Sequence, residues 1–164
     1  MANTHHTETE TTPTTAEQIE NLISATTNVE GSYAVLQTRG SEIFANQSGF
    51  SNLTPDQLSH MDAGMGTEWL NENDKTLPVH IYGLTAVISA ESFGHVSSRV
   101  NNGEDGGWIR RDYVIEAHAD HATSISVGQI VIGEGKIGYA DNYGWQQLEL
   151  SADGSQLSFT GVAL

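Results

Sequence analysis

From Trp108 onward apolar and polar positions alternate. Ile109, Tyr113, Ile115 and Ala117 fall on one face of an extended chain, and Arg110, Asp112, Glu116 and His118 fall on the other. This spacing predicts a strand. A second apolar run, Ser124–Ile132, changes phase at Gly128, where a β-bulge is expected. Around these two runs the pattern repeats. Val79–Ala90 is apolar on both faces, as suits a central strand, and Phe93–Val100 follows it. After Gly133-Glu134-Gly135 comes Lys136–Ala140, and after Asp141–Gly144 comes Trp145–Leu150. Asp153-Gly154 reads as a type I′ hairpin turn into Gln156–Val162. Short links of this kind imply antiparallel neighbours, a meander of about seven strands.

The N-terminal half carries two helix signals. Thr14 or Thr15 precedes Ile19, Leu22 and Ile23 at helical spacing, with Glu17 or Gln18 at the capping-box position. Thr54 precedes Pro55 and Gln57, which predicts a second helix carrying Leu58, Met61, Met65 and Trp69 on one stripe. Gly64 and Gly66 limit that helix to about Met61, and the Met–Trp stripe is expected in the core. Between the helices, Ser32–Thr38 and Glu42–Gln47 flank Arg39-Gly40-Ser41 and read as a hairpin.

The expected fold is therefore mainly β: an antiparallel meander forming a barrel or sandwich, with two short helices in the N-terminal half. The α+β alternative rests on Tyr33–Met61, where helix–strand–strand–helix before a meander is similar in outline to profilin-like and roadblock-like folds. Residues 15–164 are expected to form one β-rich domain. Residues 1–14, rich in Thr and Glu, read as a flexible arm, and the His5–His6 pair on it as incidental.

Composition narrows the function. Six Lys and Arg stand against 21 Asp and Glu, a formal charge of −15 over 164 residues. Nucleic acid is not an expected partner, because binding it depends on cationic side chains releasing counterions. An anionic membrane surface is disfavoured on the same grounds. There is no cysteine, which excludes disulfides, thiolate metal sites and cysteine nucleophiles. The N-terminal residues show neither a signal-peptide pattern nor a membrane-spanning run, so a soluble chain of unknown compartment is expected.

Candidate chemistry gathers at Glu116-Ala-His118-Ala-Asp120-His121. The run resembles the H-x-H-x-D-H motif of the metallo-β-lactamase superfamily, in which such residues gather zinc ligands. Glu116 stands where the family has its first histidine, no histidine follows His121, and the next residues read as strand, so membership is not expected. As a metal site of another kind, Glu116, His118, Asp120 and His121, joined by His80 or His95, offer the imidazole and carboxylate donors that suit a divalent metal. A solvated polar corner is the simpler reading. Gly133–Gly138 satisfies G-x-G-x-x-G but lies between strands, where a turn is expected rather than a nucleotide site. The loop 101–107 is rich in oxygen donors without the spacing of a calcium loop. Arg111 falls on the apolar side of its strand and is a candidate for holding an anionic group. Tyr143 and Trp145 bracket a turn as a candidate stacking platform for a sugar or small apolar molecule, with core packing the simpler reading.

No complete catalytic set emerges. The leading expectation is a non-catalytic acidic binding or assembly protein, acting on a protein partner or on itself, with no firm cofactor. The alternative is a small metal-dependent enzyme or ligand-binding barrel built on Glu116, His118, Asp120 and His121.

Overall fold

The computed structural model describes residues 11–45, 52–100 and 107–164. Most of the loop 101–107, His5, His6 and most of the expected arm lie outside them. Eight antiparallel strands form one curled sheet, a half-barrel, in the order β2-β8-β7-β6-β5-β1-β3-β4. In chain order these are β1 Ser32–Thr38, β2 Leu77–Pro78, β3 Tyr82–Ser89, β4 Val114–Ala117, β5 Ile130–Gly133, β6 Lys136–Ala140, β7 Trp145–Leu150 and β8 Gln156–Ala163. Among the described residues five α-helices accompany them: α1 Ala16–Thr27, α2 Gly40–Ile43, α3 Pro55–Ala63, α4 Thr67–Glu72 and α5 Phe93–Arg99.

The C-terminal meander follows the local turn chemistry. Glu134 and Gly135 both take positive φ, 55° and 73°, which closes β5 onto β6 in two residues. The β7–β8 link differs from the expected type I′ turn. Only Gly154 has positive φ, and Asp153 instead accepts hydrogen bonds from the Ser155 amide and from the Ser151 and Ser155 hydroxyls. Those donors hold the Asp153 carboxyl at about 2, below its ordinary value.

Sheet pairing explains several departures in the first half. β1 is flanked on both sides, by β3 (Val35 opposite Ala86) and by β5 (Val35 opposite Val131). No edge is left for a hairpin partner, and Gly40–Ile43 forms α2 in place of the expected strand Glu42–Gln47. Phe93–Val100, also expected as a strand, is helical through Arg99, because Ser92 caps it by accepting from the His95 amide. Of the expected Trp108 strand only β4 is extended, and Trp108–Arg110 is a 3-10 turn that buries Trp108 and Ile109. Gly128 is no bulge within a strand: it lies in a turn, at φ +100, ahead of a shorter β5.

The sheet is covered on both faces. Ala34 and Leu36 of β1 join Ile130, Ile132, Ile137, Tyr139 and Leu148 in one core, capped by Ile19 of α1, Ala63 of α3 and Leu70 of α4. Tyr33 and Val35 join Ala86, Ile88 and Val131 in a second core, under Phe93 and Val96 of α5 and Trp108. An extra residue at Thr85 shifts the β3 register, so Leu84 packs with the first core and Ala86 with the second.

Residues 11–14, expected in the flexible arm, are pinned instead. Thr14 is buried and donates from its amide and its hydroxyl to the Tyr82 carbonyl. Arg39 donates to the Thr11 carbonyl at 2.8 Å. Thr15 then caps α1 by accepting from the Gln18 amide.

Candidate functional site

α3 begins as its sequence dictates. The Thr54 hydroxyl accepts from the Gln57 amide and the Gln57 side-chain oxygen accepts from the Thr54 amide, with Pro55 in the first turn. Its inward contacts are made by residues other than the expected stripe. Gln57 is buried and donates to the Ile43 carbonyl of α2, and Ala63 packs in the first core. The His60 ring stands edge-on to Phe44 at 5.1 Å, over Gly40. Leu58, Met61 and Met65, expected in the core, are 48, 46 and 47 % exposed, and only Trp69 of that stripe packs against it. Leu58 and Met61, three positions apart, share one side of the helix.

Two deep tyrosines fix the end of α3. Tyr139 donates to the Ala63 carbonyl at 2.6 Å and accepts from the Gly66 amide, which lets a new helix, α4, begin after Gly66. Tyr82 donates to the Gly128 carbonyl at 2.6 Å. Burial pushes both phenols above their ordinary range, so both stay neutral donors. Gly128 in turn lies so close to Ala63 that a Cβ there would meet its carbonyl oxygen at 2.4 Å.

Between α3 and this turn opens a cleft of about 390 Å³, lined by Thr38, His60, Met61, Ala63, Gly64 and Ser126–Gln129. Apart from His60 its lining carries no ionisable side chain. Desolvation lowers the His60 pKa, and its buried Nδ1 has no hydrogen-bond partner among the described residues. The cleft is therefore uncharged near neutrality, with apolar walls at Met61, Ala63 and Val127. A contrasting groove of about 450 Å³ is lined by Glu30, Tyr33, Glu91 and Glu134, and there the Tyr33 hydroxyl donates to Glu134 at 2.7 Å.

No family model, curated protein or solved structure matches the chain. The site rests on its own geometry.

The residues singled out from sequence lie elsewhere. Glu116, His118, Asp120 and His121 are all exposed, Glu116 on β4 and the others beyond it, where the His118 amide donates to the Thr85 carbonyl. Among the described residues no three His, Asp or Glu side chains come together as a metal-ligand set. His80, considered as a further ligand, pairs with Asp56 at 2.7 Å, and His95 sits in α5 beside Arg99. Arg111 is exposed rather than set in an apolar face. Tyr143 and Trp145 form no platform. Tyr143 is 93 % exposed, whereas Trp145 is buried against Phe93 and donates to the Ser97 hydroxyl. Among the described residues no helix is long and apolar enough to cross a membrane.

Sequence reasoning found the Leu58–Met61–Met65 stripe and assigned it to the wrong side of the helix. Ala63, on the opposite side, is the apolar residue that α3 buries, while Gln57, four positions before Met61, lies beside the stripe and is buried through its bond to the Ile43 carbonyl.

Proposed function

We propose that the protein is a non-catalytic binding protein that docks an apolar segment of a protein partner on the α3 face and its adjoining cleft. The observation that carries this reading is the clustering of exposed apolar side chains. Of seven large hydrophobic residues left exposed among the described residues, three fall between Leu58 and Met65, and the other four are dispersed over the rest of the chain. Scattered exposure is ordinary, whereas a local group beside a cleft marks an interaction surface. Methionine suits such a surface because its flexible thioether adapts to the partner's shape. The cleft adds an uncharged recess for an anchoring side chain.

Both edges of the sheet are poor places for a partner. β2 has two residues, β4 is bulged at Ile115, and the β7–β8 register slips between Gln146 and Leu148. Short or bulged edges discourage strand addition. Nothing in the placement of Glu116, His118, Asp120 and His121 gathers them around a shared cleft, so the metal-dependent alternative gains no support from geometry.

Burying each half-exposed side chain contributes about 1 kcal/mol, so losing two weakens a complex by about thirtyfold. The test is a displayed random-peptide selection on the wild type, followed by affinity measurement on the Leu58→Gln/Met61→Gln variant. Selected peptides should lose about thirtyfold on the variant while its urea midpoint stays unchanged. Peptides that bind both proteins equally would refute the reading.

A further inference from the structure

Resting on the docking surface proposed above, we infer that the segment it takes is a basic amphipathic one, with apolar side chains on Leu58, Met61 and Met65 and Lys or Arg toward the acidic flank of α3 and α4. The charge distribution points to this occupant. Between Arg39 and Lys75 the sequence holds six acidic residues, Glu42, Asp56, Asp62, Glu68, Glu72 and Asp74, and no Lys or Arg. Both helices that frame the patch lie in this interval.

The available carboxylates are placed for the role. Asp62 is four positions after Leu58, on the same side of α3, and adjacent to Met61. Its contact with Lys75 is loose, 3.9 Å between Nζ and Oδ2, and exposed pairs of that kind contribute little. Glu68 stands exposed in the first turn of α4. Asp56 is engaged by His80 at 2.7 Å and is the least free to take a new cation. The cleft beside Met61 is uncharged, so an apolar side chain enters it without desolvating a carboxylate, while cations find carboxylates outside it. An acidic segment would meet repulsion from the whole −15 chain. A neutral one would forgo the attraction.

The probes are three labelled helical peptides of about 18 residues, identical on the apolar face, with Lys, Gln or Glu on the polar face. Fluorescence anisotropy should show the Lys-faced peptide binding about tenfold more tightly than the Gln-faced one, with the Glu-faced one weakest. Raising sodium chloride from about 0.05 M to about 0.5 M should remove most of that advantage. Non-specific attraction of a polycation is separated by two neutralised variants. Asp62→Asn/Glu68→Gln should weaken binding several-fold, and Glu17→Gln/Glu20→Gln on α1 should not. Equal binding of Lys- and Gln-faced peptides, insensitive to salt, overturns the inference and leaves the docking surface standing. Equal weakening by both neutralised pairs overturns it as well. Loss of all three peptides, or binding indifferent to Leu58→Gln/Met61→Gln, removes the docking surface and the inference with it.

Discussion

Replacing Gly128 with alanine tests how the α3 end is built. The perturbation has two separable parts. At φ +100 an alanine lies outside the conformations open to L-residues, which costs about 1–3 kcal/mol. The added Cβ also falls 2.4 Å from the Ala63 carbonyl oxygen and 2.7 Å from its carbon, both backbone atoms that cannot swing aside. Forcing them apart adds about 1–3 kcal/mol, as overpacking does elsewhere. It also strains the hydrogen bonds from Tyr82 to Gly128 and from Tyr139 to Ala63. The sum is about 4 kcal/mol, a large part of a typical domain's stability. Gly144→Ala supplies the control. Its φ is +76 and a Cβ there meets nothing within 4 Å, so it carries only the conformational cost. With a urea m-value of about 2 kcal/mol per molar, the midpoint should fall by about 2 M in Gly128→Ala and by about 0.5–1.5 M in Gly144→Ala. Circular dichroism during urea titration reads both. Equal losses in the two variants would refute the close approach of the turn to α3.

Three further outcomes follow from the same region. Thr54→Ala removes a capping box and should lower stability by about 1 kcal/mol in the same titration, with the helix start losing amide-exchange protection. Tyr139→Phe leaves the Ala63 carbonyl and the Gly66 amide without their shared partner, so a loss of about 2 kcal/mol is expected, and a neutral result would show that these groups find water instead. His60 has a folded pKa below its unfolded value, so the unfolded chain binds the extra proton. Its stabilising effect is complete above about pH 6.5 and is lost as pH falls toward the lower folded pKa. His60→Phe should therefore flatten the wild-type decline in urea midpoint over that window, and parallel pH profiles would contradict the desolvation of the ring.

The legible part of the fold was the part written in neighbouring residues. β6 and β7 emerged with their expected bounds because each turn is specified by the residues it contains, such as Glu134-Gly135. α3 was equally readable from Thr54, Pro55 and Gln57. Where the deciding partner is remote, local pattern misled. Ser32–Thr38 was correctly extended, yet nothing near it reveals that β3 and β5 take both its edges and turn the next segment into α2. Phe93, Val96 and Val100, by contrast, stand at the i, i+3, i+7 spacing of a helix, and Ser92 caps it, so this helix was legible locally and reading it as a strand missed its period. The site itself was ambiguous. A short helix with Leu58 and Met61 on one side and only Ala63 opposite them does not state which side faces inward. Glu116, His118, Asp120 and His121 were conspicuous by residue type, but proximity in sequence set them in an exposed stretch rather than around a pocket.

The double flanking of β1 also constrains the order in which the chain can acquire its structure. Ala34 pairs with Val87 and with Ile132, so β1 stays without its second neighbour until the chain through Gly133 has been made. Until then Tyr33, Val35 and Leu36, all fully buried at the end, remain available to other chains. Long-range pairing of this kind slows folding. The nascent protein thus passes through an interval in which its central strand is its most adhesive segment, and the late arrival of Ile130–Gly133 ends it.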